Sequence, residues 1–135
     1  MEKIFLDTNI IIYANDSRDP EKQKKAISII TELMKNQRGI ISTQVLQEYA
    51  CVALTKLKQP NDVVVRQLKL LETFEVIQQS PEMIRRAVEI MHLYTISFWD
   101  ACIISNAEFG NCSVIFSEDL NAGQYYSGIK MVNPL

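Results

Sequence analysis

The sequence has few of the residues that build zinc sites and disulfide frameworks. Its 135 residues include one histidine and three cysteines, which are Cys51, Cys102 and Cys112. No CxxC spacing is present, so neither a disulfide framework nor a cysteine zinc site is indicated. The lone His92 gives little basis for a histidine-pair metal site or for a nucleophile–histidine–acid triad. We expect the cysteines to be small buried apolar side chains in a reducing compartment.

Long apolar runs and an excess of positive charge are also missing. No apolar stretch approaches the ~20 residues of a membrane-spanning helix, and Asp7 interrupts the apolar stretch where a signal peptide would lie. The net charge of −2 differs from that of a strongly basic nucleic-acid binder. Basic residues nevertheless cluster around Lys22 and Arg85, where they either contact phosphates or form solvated helix faces. We expect a cytoplasmic protein with no membrane association.

Short β-rich runs alternate with longer helical stretches along the chain. Strands are predicted at residues 3–7, 39–42, 74–78, 113–117 and 129–132. Helices are predicted at 19–36, 43–57, 61–72, from 80 onward, and at 97–110. This alternation predicts an α/β fold, with a mostly parallel five-stranded sheet flanked by helices as an α/β/α sandwich. Because no linker or repeat is present, residues 1–135 are expected to form a single domain.

Four acidic residues stand at the junctions of these elements. Asp7 ends the first strand, Glu48 lies about one turn into the second long helix, Asp100 lies in the first turn of the last helix, and Asp119 follows the fourth strand. The carboxyl ends of parallel strands meet at one edge of a sheet, so the four side chains are expected to converge. Carboxylates brought together repel each other unless a cation lies between them. The sequence therefore predicts a site for a hard metal ion.

Each acid also has a simpler structural interpretation. Asp7 is a favoured cap for a following helix, and Glu48 stands at the polar border of an apolar stripe. Asp100 has the spacing of a capping box with the serine three residues before it. Asp119 lies in a polar turn, in which Glu118 is expected to face solvent. Only the combination of the four acids favours a metal site.

Together, the four segments resemble the PIN-domain nucleases, and more narrowly the VapC-like toxins of toxin–antitoxin pairs. The matching segments are Phe5-Leu6-Asp7-Thr8-Asn9-Ile10, the helix around Glu48, Phe98-Trp99-Asp100-Ala101 and Ser117-Glu118-Asp119-Leu120-Asn121. Their order and separation fit across essentially the whole chain. The resemblance implies one PIN-like domain over residues 1–135.

The resemblance also implies a ribonuclease that uses Mg²⁺ or Mn²⁺. It implies that Asp7, Glu48, Asp100 and Asp119 line an acidic pocket. Since Mg²⁺ takes a few carboxylates and keeps several waters, we expect Asp7 and Asp100 to be the main metal ligands, with Glu48 and Asp119 binding directly or through water. Either of the last two is a candidate to orient the attacking water, and one or two metal ions are both compatible with the motif. The supporting residues that it implies are Thr8, Asn9 and Ser117. Attack by water would leave a 5′-phosphate and a 3′-hydroxyl, and the implied partners are a second copy of the chain and an antitoxin with a basic segment.

Two other classes of protein compete with this interpretation. A response-regulator receiver needs a phospho-acceptor aspartate at the end of a central strand and a late lysine, but the second strand ends in Ser42 and the only late lysine is Lys130. The better alternative is a catalytically inactive PIN-like module that binds RNA or a protein. No local motif identifies a base sequence, although several aromatic side chains are candidates for stacking on unpaired bases. These aromatic residues are Tyr13, Tyr49, Phe98, Trp99, Tyr125 and Tyr126.

Overall fold

Six strands and six helices follow one another in the computed structural model, which describes residues 2–135. The strands are β1 (Ile4–Leu6), β2 (Gly39–Ser42), β3 (Glu75–Ile77), β4 (Val114–Phe116), β5 (Tyr125–Tyr126) and β6 (Ile129–Val132). The helices are α1 (Thr8–Ala14), α2 (Pro20–Asn36), α3 (Thr43–Thr55), α4 (Asn61–Leu71), α5 (Pro81–Tyr94) and α6 (Phe98–Phe109).

The strands form one sheet in the order β3-β2-β1-β4-β6-β5, and β5 alone runs antiparallel to its neighbour. The chain moves from β1 to β2 to β3 in one direction and then returns across β1 to β4. Parallel crossovers are right-handed, so α1 to α4 cover one face of the sheet and α5 and α6 cover the other. This confirms the mostly parallel α/β/α fold. The reversal makes the gap between the ends of β1 and β4 a topological switch point, where open α/β sheets bind ligands.

The prediction of five strands is wrong by one strand. Tyr125–Tyr126 pairs with β6 through a hairpin whose loop residues, Ser127 and Gly128, have φ angles of 52° and 77°. Two successive positive φ angles are typical of a type I′ turn. The Ser-Gly dipeptide was the available signal, but two strand residues are too few to show a β-alternation. The other strands were predicted to within one residue at each end.

The central part of helix α6 is enclosed by the rest of the fold. Every residue from Ala101 to Ala107 is buried, and the helix packs against α5, β2 and β6. Such burial explains why this part of the helix is mostly apolar. On the opposite face, α1 packs against α2 and α3, and α3 packs against β2. The helices that carry Glu48 and Asp100 are thus both fixed to the sheet.

The expectations drawn from composition hold in part. Cys102 and Cys112 are buried, but Cys51 is exposed on α3, and all three are free thiols. The expectation that all the cysteines are buried is therefore wrong for Cys51. Among residues 2–135, no single helix has the length and apolar character of a membrane span, although α5 and α6 together meet that test as a pair bent by 118°.

Candidate active site

Asp7 joins the central strand to the first helix. Its backbone N–H donates to the carbonyl of Phe116 in β4 at 3.0 Å. Its carboxylate oxygen Oδ1 accepts the N–H of Thr8 at 2.7 Å and caps α1. The other oxygen, Oδ2, accepts the hydroxyl of Ser117 at 2.8 Å. The capping interpretation is therefore correct, and it does not exclude a second role for the same carboxylate.

The four predicted acids line one pocket of about 180 Å³ at the switch point. Asp7 comes from the end of β1, Glu48 from α3, Asp100 from the start of α6 and Asp119 from the loop after β4. The side chains differ in exposure, since Asp7 is 5% exposed and Asp119 is open to solvent. The structure thus brings together all four acids that the sequence singled out.

Three polar side chains hold these acids in place. The hydroxyl of Thr8 donates to Oε1 of Glu48 at 2.8 Å, which fixes a carboxylate on α3 from α1. The hydroxyl of Ser117 accepts the backbone N–H of Asp119 at 3.1 Å. The amide of Asn9 donates to the same hydroxyl at 3.4 Å. The supporting residues therefore contact the acids or one another.

Asp100 is held by only half of a capping box. Its backbone N–H donates to the hydroxyl of Ser97 at 3.1 Å, as the capping interpretation requires. Asp100 also lines the acidic pocket together with Asp7, and the cap engages its backbone N–H. The capping interpretation and the pocket prediction are both compatible with this geometry.

Burial of Asp7 dominates the electrostatics of the pocket. Desolvation raises the pKa of Asp7 from 3.8 to about 7, although the hydrogen bonds from Ser117 and Thr8 oppose the shift. The negative charges of Glu48 and Asp119 raise the pKa further. A buried carboxyl group surrounded by other carboxylates is an environment that favours a bound cation.

The prediction that Glu118 faces solvent is wrong. Its Oε1 accepts the hydroxyl of Tyr13 at 2.7 Å, and its Oε2 pairs with the ammonium of Lys22 at 2.6 Å. Its backbone N–H also donates to Oδ1 of Asn9 at 3.2 Å. These contacts join the loop that carries Asp119 to α1 and α2, a tertiary pairing that no local sequence pattern indicates.

Sequence reasoning also missed the apolar wall of the pocket. Ile12, Val52 and Ile103 line it, with Trp99 at its edge. Val52 comes four residues after Glu48 and Ile103 three residues after Asp100, so each shares a helix face with an acid. That spacing was visible in the sequence and would have identified two of these residues.

The residues of the pocket fit a hard divalent cation in part. All of their charged groups are oxygen donors, and Mg²⁺ is usually held by one or two carboxylates with water completing the shell. Among residues 2–135, however, no group of three or more histidine, cysteine, aspartate or glutamate side chains is arranged to hold one ion. The fit is therefore to an ion held by one or two carboxylates rather than to direct ligation by all four.

Comparison with known protein families identifies the chain. The family model of the PIN domain matches residues 4–126. The chain belongs to the PIN-domain family. This match spans every segment that carries a pocket acid. No curated protein matches the chain significantly.

Several solved structures share this PIN-domain fold. One is a toxin–antitoxin complex from Klebsiella pneumoniae, with a TM-score of 0.74, 22% identity and coverage of 98% of each chain. Another is DNA-bound VapBC from Salmonella typhimurium, with a TM-score of 0.71, 18% identity and coverage of 97% of each chain. A third is VapC20 from Mycobacterium tuberculosis, described as a toxin that cleaves the sarcin–ricin loop, with a TM-score of 0.68, 18% identity and coverage of 87% of this chain and 92% of that one. At these identities the likeness establishes the shared fold.

Proposed function

We propose that this PIN-domain protein is a Mg²⁺- or Mn²⁺-dependent endoribonuclease and the toxin of a type II toxin–antitoxin pair. The observation that carries the proposal is the convergence of Asp7, Glu48, Asp100 and Asp119 on one pocket. The electrostatics support it, because a carboxyl group with a pKa near 7 among other acids favours a cation. The fold shared with toxin chains adds independent support.

The proposed roles follow from the positions of the four acids. Asp7 and Asp100 would hold the metal ion, and Asp119, which is exposed beside them, would bind it through water. When bound, the ion supplies charge neutralisation at the scissile phosphate and lowers the pKa of the attacking water. Glu48 receives the hydrogen bond of Thr8, which leaves its second oxygen available to orient that water and accept its proton.

The proposed reaction is hydrolysis of an RNA phosphodiester bond. The water oxygen bonds to phosphorus as the bond from phosphorus to the 3′-oxygen breaks. One water proton passes to the carboxylate that orients the water, and the departing 3′-oxygen takes up a proton from solvent. The products are a 5′-phosphate and a 3′-hydroxyl. Because RNA is the proposed substrate, we place the activity in the cytoplasm.

We also infer a protein partner and self-association. Toxin–antitoxin and VapBC complexes share the fold of this chain, and an acidic pocket suits the basic segment of an antitoxin. A homodimer and a cognate antitoxin are thus part of the proposal. A small reading frame next to this gene that encodes a DNA-binding amino end would support it. Co-expression followed by co-purification would test the pairing.

The decisive experiment is cleavage of a structured RNA by purified protein in the presence of Mg²⁺ or Mn²⁺. Wild type should cut the RNA, and a chelator should stop cutting. Asp7→Asn should abolish it while the circular dichroism spectrum stays unchanged. Asp62→Asn is the matched control, because Asp62 is an exposed acid of α4 that pairs with Arg66 outside the pocket.

Each result has a defined meaning. Cutting that persists in Asp7→Asn, or in chelator, would overturn the assignment of the site. Folded wild type that binds Mn²⁺ but leaves several RNAs intact would favour the inactive PIN-like binding module instead.

A further inference from the structure

A second recess adjoins the acidic pocket. It has a volume of about 300 Å³ and is lined by Gln44, Gln47, Glu48, Cys51 and Trp99. Glu48 and Trp99 also line the acidic pocket. The two spaces are therefore neighbours on the protein surface.

Trp99 lines both the acidic pocket and the recess. It is the only tryptophan of the chain, and it is 63% exposed although it is a large aromatic residue. Phe98 contacts it edge to face, with ring centroids 5.3 Å apart and an interplanar angle of 69°. Most of the indole is thus accessible beside a polar pocket.

A chain of buried amides fixes the backbone beneath this exposed ring. Gln44 is 3% exposed, and its Nε2 donates to the carbonyl of Trp99 at 3.3 Å. Its Oε1 accepts from Asn106 at 3.2 Å and from Gln79 at 3.3 Å. Mutually bonded amides, of which Gln44 and Asn106 are buried, rigidify their surroundings, so the backbone that carries the Trp99 ring is held in place.

The lining of the recess distinguishes between possible ligands. It contains no lysine or arginine, and its one charged residue is Glu48. A phosphate would be repelled there, whereas a flat uncharged ring is compatible with the indole. The exposed amide of Gln47 on α3 offers both a donor and an acceptor to the edge of such a ring.

We propose that this recess binds one unpaired base of the RNA, stacked on Trp99 with its edge towards Gln47. The inference rests on the proposed ribonuclease function, since the acidic pocket would hold the scissile phosphate next to it. Proteins that recognise single-stranded RNA stack splayed bases on aromatic rings and read their edges by hydrogen bonds. Trp99 would thereby position the RNA, and Gln47 would contribute to the choice of base.

The sole tryptophan makes the proposal directly measurable. Short single-stranded RNA homopolymers of A, U and C are titrated into the full chain carrying Asp7→Asn, which prevents cleavage. Stacking should quench the intrinsic tryptophan fluorescence. An abasic sugar–phosphate oligomer of the same length should bind without that quenching, which separates base contacts from phosphate contacts.

Variants at Trp99 and Gln47 supply the second readout. Trp99→Leu should weaken homopolymer binding about tenfold, as loss of one stacked base does, and Trp99→Phe should restore part of it. In the cleaving protein, Trp99→Leu should raise KM more than it lowers kcat. Gln47→Ala should change the preference among homopolymers and keep the quenching. Tyr125→Leu is the matched control, because Tyr125 is 60% exposed but does not line either space.

The outcomes separate this inference from the proposed function. Suppose that Trp99→Leu cleaves normally with an unchanged KM and that the titration shows no quenching. That result would overturn the base site but would be consistent with the ribonuclease function. Base-dependent quenching without any cleavage would support the base site and overturn the ribonuclease. If Trp99→Leu loses self-association and RNA does not quench the fluorescence of the protein with Trp99, the surface around Trp99 is a protein contact. That result would overturn the base site.

Discussion

The hydroxyl of Ser117 donates to Oδ2 of Asp7 at 2.8 Å, although the two residues are 110 positions apart in the sequence. The hydroxyl oxygen of Ser117 also accepts the backbone N–H groups of Asp119 and Leu120 at 3.1 and 3.4 Å. One buried hydroxyl thus ties the end of β1 to the loop after β4. It spans the gap between β1 and β4, at which the order of strand addition along the chain reverses.

Removal of this hydroxyl should affect both stability and chemistry. Ser117→Ala leaves two backbone donors and one carboxylate oxygen without their partner, so the free energy of unfolding should fall by about 1–3 kcal/mol. The pKa of Asp7 should rise further, because the hydrogen bond from Ser117 lowers it. Urea unfolding and the pH profile of cleavage measure the two effects. Ser28→Ala, at an exposed position of α2, is the control, and equal behaviour of the two variants would refute this role of Ser117.

The buried carboxyl group of Asp7 should make the metal-free protein less stable as pH rises. Its pKa is about 7 in the folded protein and 3.8 when unperturbed. Between these values the folded state binds a proton that the unfolded state lacks, so the free energy of unfolding falls with increasing pH. The total loss is about 4 kcal/mol and is complete above pH ~7.

Asp7→Asn should remove this pH dependence and should be the more stable protein at alkaline pH. Urea unfolding in chelator at a series of pH values compares the two proteins. An identical slope in wild type and variant would show that Asp7 is not the group responsible. Added Mn²⁺ should stabilise wild type more at alkaline than at acidic pH, because it competes with the proton.

The hydrogen bond from Thr8 should matter more for activity than for stability. Thr8→Val keeps the shape of the side chain but removes the donor to Glu48, which lies at 2.8 Å. Glu48 is the residue that we propose orients the attacking water. Loss of a partner that orients a group around a metal ion typically lowers activity 10- to 100-fold, so we expect a loss of cleavage in the lower part of that range. Thr8→Ser keeps the hydroxyl and should retain most of the activity. Equal cleavage by the valine and serine variants would remove the orienting role.

Lys22 should affect cleavage by holding the loop that carries Asp119, and it should not bind RNA phosphates. Its ammonium pairs with Glu118 at 2.6 Å and lies 4.7 Å from the centre of the Tyr13 ring. Lys22→Met should therefore lower cleavage by loosening the loop, with little effect on the free energy of unfolding, because ion pairs at the surface stabilise a fold only weakly.

The salt dependence of RNA binding tests this role of Lys22. The slope should be unchanged in Lys22→Met, since Glu118 already neutralises the ammonium. Arg85→Ala, at an exposed position of α5, removes a charge from the other basic group and should reduce the slope if that group contacts phosphate. A reduced slope in Lys22→Met would instead make Lys22 a phosphate ligand.

The sequence predicted those features whose signals are local. Strand–helix alternation indicated the parallel sheet. An aspartate cap and a serine cap, each followed by a proline, located the starts of α2 and α5. The acids could be found because each stands at a junction of elements. The pairing of Glu118 with Lys22 and Tyr13 could not, because it depends on how a loop meets two helices far away in the sequence. The strand Tyr125–Tyr126 was missed for a different reason, since a hairpin this short has no periodic pattern.

The order of the strands has a consequence for the synthesis of the protein. β1 is made first, but its neighbour β4 and the hydroxyl of Ser117 come from the last part of the sequence. A nascent chain that ends before Ser117 lacks one side of the sheet and one wall of the pocket, and Asp7 then has no partner for Oδ2. Contacts this distant in sequence also slow folding, because a long loop must close to form them. A ribosome making this protein would thus finish nearly the whole chain before the pocket exists, which delays any activity of the pocket until translation is almost complete.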